Sequence, residues 1–314
     1  MRRMPLVAAL AAGLLSTVAG RAAAQQVQMV IPFPAGGGSD IIGRMMQPAL
    51  AEELGAPVLI RNVGGAAGTT GATEVARAKP DGTTVLLTSM SPVVIQPSFR
   101  PSVSYRTTSF APICLVADAP AVLMTPQNSG LRTVADVVAR AREAPGKVPY
   151  ASGGIGGLGH TAMVGLTRAT GIELNHIPFR GSGDAVLAMQ QGSVQMLTAE
   201  ANLVHQYGLH PIAVFAAERM PQYPDAPTVR EQGYDLAFAL WTGLYAPAGT
   251  PEAALARLDS ACERTLRTPA VAEGMARVAH PIRYLGRREF AAFTRAEAEK
   301  YRDIIEAAGM RQAD

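Results

Sequence analysis

The stretch Pro32-Phe33-Pro34-Ala35-Gly36-Gly37-Gly38-Ser39-Asp40 decides how the chain is read. It follows a short apolar run, Val27 to Ile31, and leads into helical periodicity from Ile41 onward. Two prolines stop the strand, and three consecutive glycines let the backbone turn tightly and approach another group closely. Ser39 stands where an N-cap is expected, and Asp40 falls in the first helical turn. A helix start of this kind carries free N–H groups and a partial positive charge, which suit a small anion. One such loop alone is ordinarily just a strand-to-helix turn. Its repetition along the chain gives it weight.

Outward from that loop, a helix is expected over about 40–54 and a strand at Pro57-Val58-Leu59-Ile60. A second glycine-rich loop, Asn62 to Thr70, opens a helix over 72–78 that stops at Lys79-Pro80-Asp81-Gly82. The buried-type strand over 84–88 ends at Ser89. Alternating strands and helices of this length predict a parallel sheet with crossover helices. Ligands of such sheets sit beyond the carboxyl ends of the strands.

The long apolar stretch from Ala111 to Met124 is expected to cross into a second unit, where Thr133 and Asp136 have capping-box spacing. There a third glycine-rich loop, Ser152 to His160 with Gly154 and Gly157 inside it, follows a strand over 148–151. A fourth, Arg180-Gly181-Ser182-Gly183-Asp184, follows a strand over 176–179. A helix over 185–191, a strand over 194–198, a polar break at Glu200-Ala201-Asn202 and a strand over 212–216 complete the unit. Leu240 to Ala246, with the only tryptophan, Trp241, is expected to cross back. Thr250 then reads as an N-cap with Pro251 at the first helical position, and the rest is helical to Gly309 with a break near 281–286. The expectation is an α/β protein of two domains, each a mixed, mainly parallel sheet flanked by helices, joined by two hinge crossings. Domain 1 spans 25–118 plus 242–314, and domain 2 spans 119–241.

The N-terminus reads as an address. Met1-Arg2-Arg3 is basic, Leu6 to Val18 is apolar and Ala22-Ala23-Ala24 is a small-residue cleavage site. This is the pattern of a secretory signal peptide cut near Ala24, with an apolar core too short for a membrane anchor. The formal net charge of +3 equals the three arginines ahead of the cut, Arg2, Arg3 and Arg21, so the mature chain is formally neutral. A basic partner surface for nucleic acid is therefore not expected. No G-x-x-x-x-G-K-[ST] is present, and the opening loop does not match G-x-G-x-x-G, which argues against nucleotides. The two cysteines, Cys114 and Cys262, are too few for a zinc site, and the five histidines lack metal-ligand spacing. No metal and no cofactor is expected. An exported cysteine pair can form a disulfide, but one cysteine in a strand pattern and one in a helical pattern favour two separate buried thiols.

Four similar loops, two per domain, suggest one cleft lined by main-chain N–H donors. Competing readings attach to the side chains. His160 suits a core or capping role nearly as well as ligand contact. Asp40 suits a first-turn position or an amine-binding group, Phe33 and Trp241 are core residues by type, and Glu200 reads either way. A serine hydrolase using Ser152 with His160 is the enzyme alternative, disfavoured because no G-x-S-x-G elbow and no orienting carboxylate are evident.

The loops resemble those of the Bug/TctC-type receptors of tripartite tricarboxylate transporters. Pro32 to Asp40 resembles the family's P-F-x-x-G-G-x-[ST]-D, Asn62 to Gly68 its N-x-x-G-A-x-G, and Ala78-Lys79-Pro80-Asp81-Gly82 its A-x-P-D-G. Tyr150 to His160 is similar to its Y-x-S…H loop, and His176-Ile177-Pro178-Phe179-Arg180-Gly181 to its H-V-P-Y-K-G. Trp241 to Pro251 is similar to its W-x-G-x-x-A-P-A-G-T-P. The resemblance covers the mature chain. It implies a type II-like periplasmic binding protein that closes on a small carboxylate and serves membrane permease subunits. A monomer that is not an enzyme is expected, or, as the alternative role, a ligand sensor for a signalling partner. The implied ligand-binding residues are Phe33, Pro34, Ala35, Gly36, Gly37, Ser39, Asp40, Ser89, Ser152, Gly154, His160, Gly181, Glu200 and Trp241. Gly157 departs from the Ser or Thr common there in the family, and the segment 198–208 is short, which bears on ligand identity.

Overall fold

The computed structural model describes residues 26–179, 181–278 and 280–311; the expected signal peptide, residues 1–24, lies outside them. The apolar runs around the opening loop become β1 (Val27–Ile31), α1 (Gly38–Leu54), β2 (Val58–Asn62), α2 (Thr69–Ala76) and β3 (Thr84–Ser89). A π-helical turn over Ser91–Ile95 and the short α3 (Gln96–Phe99) lead to β4 (Phe110–Thr125). The second set is α4 (Val134–Glu143), β5 (Pro149–Ser152), α5 (Leu158–Thr170), β6 (Asn175–Pro178), α6 (Ser182–Gln190), β7 (Met196–Glu200), α7 (Asn202–Gln206) and β8 (His210–Val214). The chain returns through β9 (Ala239–Pro247) and ends in α8 (Glu252–Arg267), α9 (Pro269–Arg277), β10 (Ile282–Leu285) and α10 (Arg287–Ala307).

The strands follow the order β2-β1-β3-β9-β4-β7-β5-β6, with β8 and β10 also paired to β4. β1 is parallel to β2 and β3, and β5 is parallel to β6 and β7. The mixed α/β class is as expected, and the two strand sets repeat one plan: a parallel trio closed by an antiparallel long strand.

Register explains why the two sets work together. Between β3 and β7 lie three antiparallel steps, through β9 and β4, so the two parallel trios run in opposite directions. Because β4 is 16 residues long, its first part pairs with β9 and β10 and its last part with β7 and β8. The carboxyl ends of both trios therefore face one another across the middle of β4. Ser89 ends β3 opposite Thr242, which pairs with Ala117; Glu200 ends β7 opposite Ala121. Four residues along a strand leave a gap of about 13 Å.

Three buried clusters hold the layers. One packs β1 and β3 beneath α1, α8 and α9 around Ile31, Met46, Leu87 and Leu258, and another packs β7 beneath α6 around Val186 and Leu197. The largest joins both strand sets through Trp241, Tyr245, Phe290 and Tyr301. From α10, Glu297 accepts the Trp241 indole N–H at 2.9 Å, and Thr294 meets the Tyr245 hydroxyl at 3.2 Å.

Several local expectations change. Cys114 and Cys262 form a disulfide rather than two separate thiols. Local patterning could not reveal this, because the pairing depends on α8 packing over β4 with Cα atoms 6.7 Å apart. It closes a sequence separation of 148 residues, and removing such a bridge typically costs about 2–5 kcal/mol. Thr250 does not cap α8; its hydroxyl donates to the Pro247 carbonyl at 2.8 Å, and Pro251 takes the N-cap position. The polar break after Glu200 is the one-turn helix α7, and the break near 281–286 contains β10, which adds to β4.

Candidate ligand-binding site

Three helix starts face the region between the strand trios, and glycine caps each. Gly37, rather than Ser39, caps α1: its backbone is extended and its carbonyl accepts the first helical bond, from Ile41 at 3.0 Å. Ser39 thus lies inside the first turn. Gly157 caps α5 and accepts from the Thr161 amide at 3.0 Å; Gly181 caps α6 and accepts from the Ala185 amide at 3.3 Å. Gly181 has φ of 153°, a conformation that side chains disfavour. None of the three helices receives a side-chain cap. The first-turn amides of Leu158, Gly159 and His160, and of Ser182, Gly183 and Asp184, consequently have no acceptor within their own helices.

A cavity of about 320 Å³ opens at the starts of α5 and α6. Gly157, Leu158 and Gly159 line it from α5, and Gly181 and Ser182 from α6. Thr198 and Glu200 line it from the end of β7. Met90 and Ser91, just beyond β3, and Leu240 of β9 close the opposite wall. The carboxyl-end rule for parallel sheets thus locates it correctly. A Cβ on Gly159 would fall 1.9 Å from the Thr198 carbonyl oxygen, so only glycine lets α5 begin against β7. Thr198 is fully buried, and its hydroxyl oxygen has no hydrogen-bond partner among the described residues. The Ser182 hydroxyl donates to Glu200 Oε2 at 3.0 Å. No lysine, arginine or histidine is among the described lining residues; Arg180 lies outside the described residues.

Of the residues expected at the site, Gly181 and Glu200 line this cavity. Gly154 is one turn of loop behind it, accepting from the Gly157 amide at 3.3 Å. Ser89 ends β3 immediately before Met90 and is buried. The opening loop lies elsewhere: the first turn of α1, through Gly38 and Ile41, lines a second cavity of about 790 Å³, opposite His205, Tyr223, Arg277 and His280. Pro34, Ala35 and Gly36 are exposed, and Gly37 is half-buried at the tip. Asp40 is only 2% exposed and is engaged by the Gly36 amide at 2.8 Å, Arg44 Nε at 2.9 Å and Asn62 Nδ2 at 2.9 Å. Burial pushes its carboxyl up, but those hydrogen bonds and the Arg44 charge outweigh burial and hold it below the usual range. Asp40 is the knot that ties the opening loop. Asn62 completes it, donating also to the Phe33 carbonyl at 3.1 Å. Phe33 is half-buried, and its ring lies over Gly68 of the second loop.

Trp241 points away from the cavity. Neighbouring strand residues face opposite sides, so Leu240 lines the cavity while Trp241, fully buried, packs edge-on against Phe290 and Phe293.

Ser152 and His160 form the floor beneath the third loop. Ser152 is fully buried, and its Oγ lies 2.8 Å from Nε2 of His176, not from His160. The His160 ring stacks on His176 at 3.9 Å, and His176 stacks on Tyr150 at 4.8 Å. His160 Nδ1 accepts the Gly156 amide at 3.0 Å, which pins the loop. Burial lowers the pKa of His160 to about 4; burial, with His160 beside it, lowers that of His176 to about 4. Both rings are neutral at pH 7. Neither Ser152 nor these histidines lines the cavity, and the Ser–His contact has no carboxylate behind it among the described residues. Sequence reasoning missed His176, Ser182 and Thr198. Ser182 was legible as a polar residue at a helix start, whereas Thr198 and His176 looked like ordinary strand residues.

A cavity at opposed carboxyl ends, faced by helix starts that no side chain caps, has the form of a solute-binding site. The profile described as "Tripartite tricarboxylate transporter family receptor" matches residues 42–310, and the chain belongs to that family. Protein BugT of Bordetella pertussis is 31% identical over 81% of this chain and 80% of its own length. The crystal structure of a TctC solute binding protein from Polaromonas superposes with a TM-score of 0.82 at 26% identity, covering 90% of this chain and 98% of that one. MatC from Rhodopseudomonas palustris with bound malate gives 0.73 at 27% identity, covering 89% and 98%. The family is one of transporter receptors, and the Polaromonas protein is a solute-binding protein.

Proposed function

We propose that this protein is exported through a signal peptide cut near Ala24, captures a small organic carboxylate between two lobes, and hands it to a tripartite-type membrane permease. Residues 25–118 with 242–314 form one lobe and 119–241 the other, hinged where β4 passes from β9 and β10 to β7 and β8. The observation that carries the reading is the buried, unpartnered Thr198 hydroxyl beside two helix starts that no side chain caps. One carboxylate of the ligand takes the α5 and α6 amides, and the opening loop closes on it from the other lobe. The volume of about 320 Å³ falls at the small end of the ~300–1,000 Å³ typical of ligand pockets, which fits a small metabolite. The malate bound to MatC is an acid of this size class.

Each helix start contributes about 0.3–1 kcal/mol to an anion. Micromolar binding requires about 8 kcal/mol. Direct hydrogen bonds and closure supply most of the difference. The test is a titration with a panel of mono- and dicarboxylates, read by melting temperature and by emission of the sole tryptophan, Trp241, at the hinge. A ligand at a hundred times its Kd adds about 2.7 kcal/mol, expected as a rise of roughly 5 °C. If no acid at millimolar concentration moves either signal, the receptor reading fails.

A further inference from the structure

Glu200 is the one acidic residue among those lining the smaller cavity, and no described lining residue carries a positive charge to offset it. Its carboxylate accepts one hydrogen bond, from Ser182 Oγ at 3.0 Å. A carboxylate oxygen pair offers about four acceptor positions, so most of its accepting capacity is unused among the described residues. Its position is set from both sides: Glu200 closes β7 opposite Ala121, and Ser182 stands at the start of α6. The cavity is thus split in character. Its helix-start amides donate hydrogen bonds; its Glu200 wall only accepts them.

Resting on the receptor reading above, we propose that Glu200 selects acids that carry a hydrogen-bond donor beside the carboxylate, an ammonium above a hydroxyl, and disfavours plain dicarboxylates. The carboxylate end of such a ligand takes the α5 and α6 amides, and its donor meets Glu200. An ammonium also neutralises the Glu200 charge, whereas a second bare carboxylate placed there meets like charge, with no cation among the described lining residues to offset it.

The experiment compares acids of one skeleton by calorimetric titration: succinate, malate and aspartate, then glutarate and glutamate. Aspartate and glutamate are expected to bind at least tenfold more tightly than succinate and glutarate, with malate between. Glu200→Gln retains the Ser182 contact and the side-chain size. It is expected to cut that preference tenfold or more and to strengthen binding of the plain acids. A plain acid that binds wild type as well as its amino counterpart overturns the proposal while leaving the receptor reading intact, as does a preference unchanged in Glu200→Gln. Failure of all five acids to bind overturns the proposal, and the receptor reading falls with it only if the wider panel of mono- and dicarboxylates fails as well. Because the wild-type ratio is itself decisive, the test survives a variant that folds poorly.

Discussion

Two kinds of helix start occur in the same half of this molecule. At α4, far along the chain from any cavity residue, the Thr133 hydroxyl accepts from the Asp136 amide at 3.1 Å while Asp136 accepts from the Thr133 amide at 2.8 Å. That is a complete capping box. At α5 and α6, glycine occupies the N-cap and no side chain reaches the first-turn amides. A Ser, Thr, Asp or Asn cap is worth about 0.5–2 kcal/mol over alanine, and glycine comes close behind. Glycine therefore sacrifices little stability at α5 and α6. It leaves the amides open to an outside acceptor, and the cavity lies where that acceptor would bind.

The contrast can be pressed from several sides. The largest effect is expected from Gly159→Ala, whose Cβ would overlap the Thr198 carbonyl oxygen. Displacing α5 from β7 should lower stability by about 4 kcal/mol, as for severe overpacking. Carboxylate binding should be lost as well, as read by denaturant unfolding and titration. An unchanged unfolding midpoint would mean that the close approach of α5 to β7 does not hold.

Acid attacks the floor of the same loop. His160 and His176 have pKa values lowered to about 4, against an ordinary value near 6.5. The unfolded chain therefore binds more protons at these two rings between those limits, so their contribution to stability must fall as pH drops from about 6.5 to 4 and level off below. The loss is on the order of 3 kcal/mol from buried His160, with a smaller addition from half-buried His176, whose charge solvent partly screens. Tyr150 and Ser152 are the other polar groups in the stack, and neither titrates in this window. His160→Gln, which removes one ring, should flatten the slope of melting temperature against pH.

A smaller effect separates binding from stability. Gly157→Asp places an acceptor and a negative charge at the α5 start, where the backbone at φ −78° tolerates any residue. Ligand affinity should fall about tenfold, roughly 1.4 kcal/mol, while the melting temperature holds or rises slightly. Thr133→Ala is the mirror case: about 1 kcal/mol of stability lost, with affinity unchanged. If both variants changed affinity equally, the difference between the two kinds of helix start would have no functional meaning.

Much of this was legible locally. Apolar runs bounded by Gly and Pro marked β1, β3, β5 and β9 to within a residue or two, and Thr133 with Asp136 announced its capping box. The glycine-rich loops marked the helix starts, although Ser39 drew the expected cap two residues too late because glycine at 37 already accepts the first helical bond. These features depend on residues within one turn or one strand, which is the range over which periodicity and capping act.

Other features depend on partners distant in sequence. The facing of the two carboxyl ends follows from three antiparallel steps and the length of β4. The Cys114–Cys262 bridge required α8 to settle on β4. Ser152 finds His176 rather than His160 because β5 and β6 pair in register, with Ser152 opposite Pro178 and Tyr150 opposite His176. Asp40 becomes a knot only once β2 brings Asn62 beside it, and strand alternation turns Leu240 toward the cavity and Trp241 away. Local chemistry placed the donors along the chain; long-range register decided which of them share a cavity.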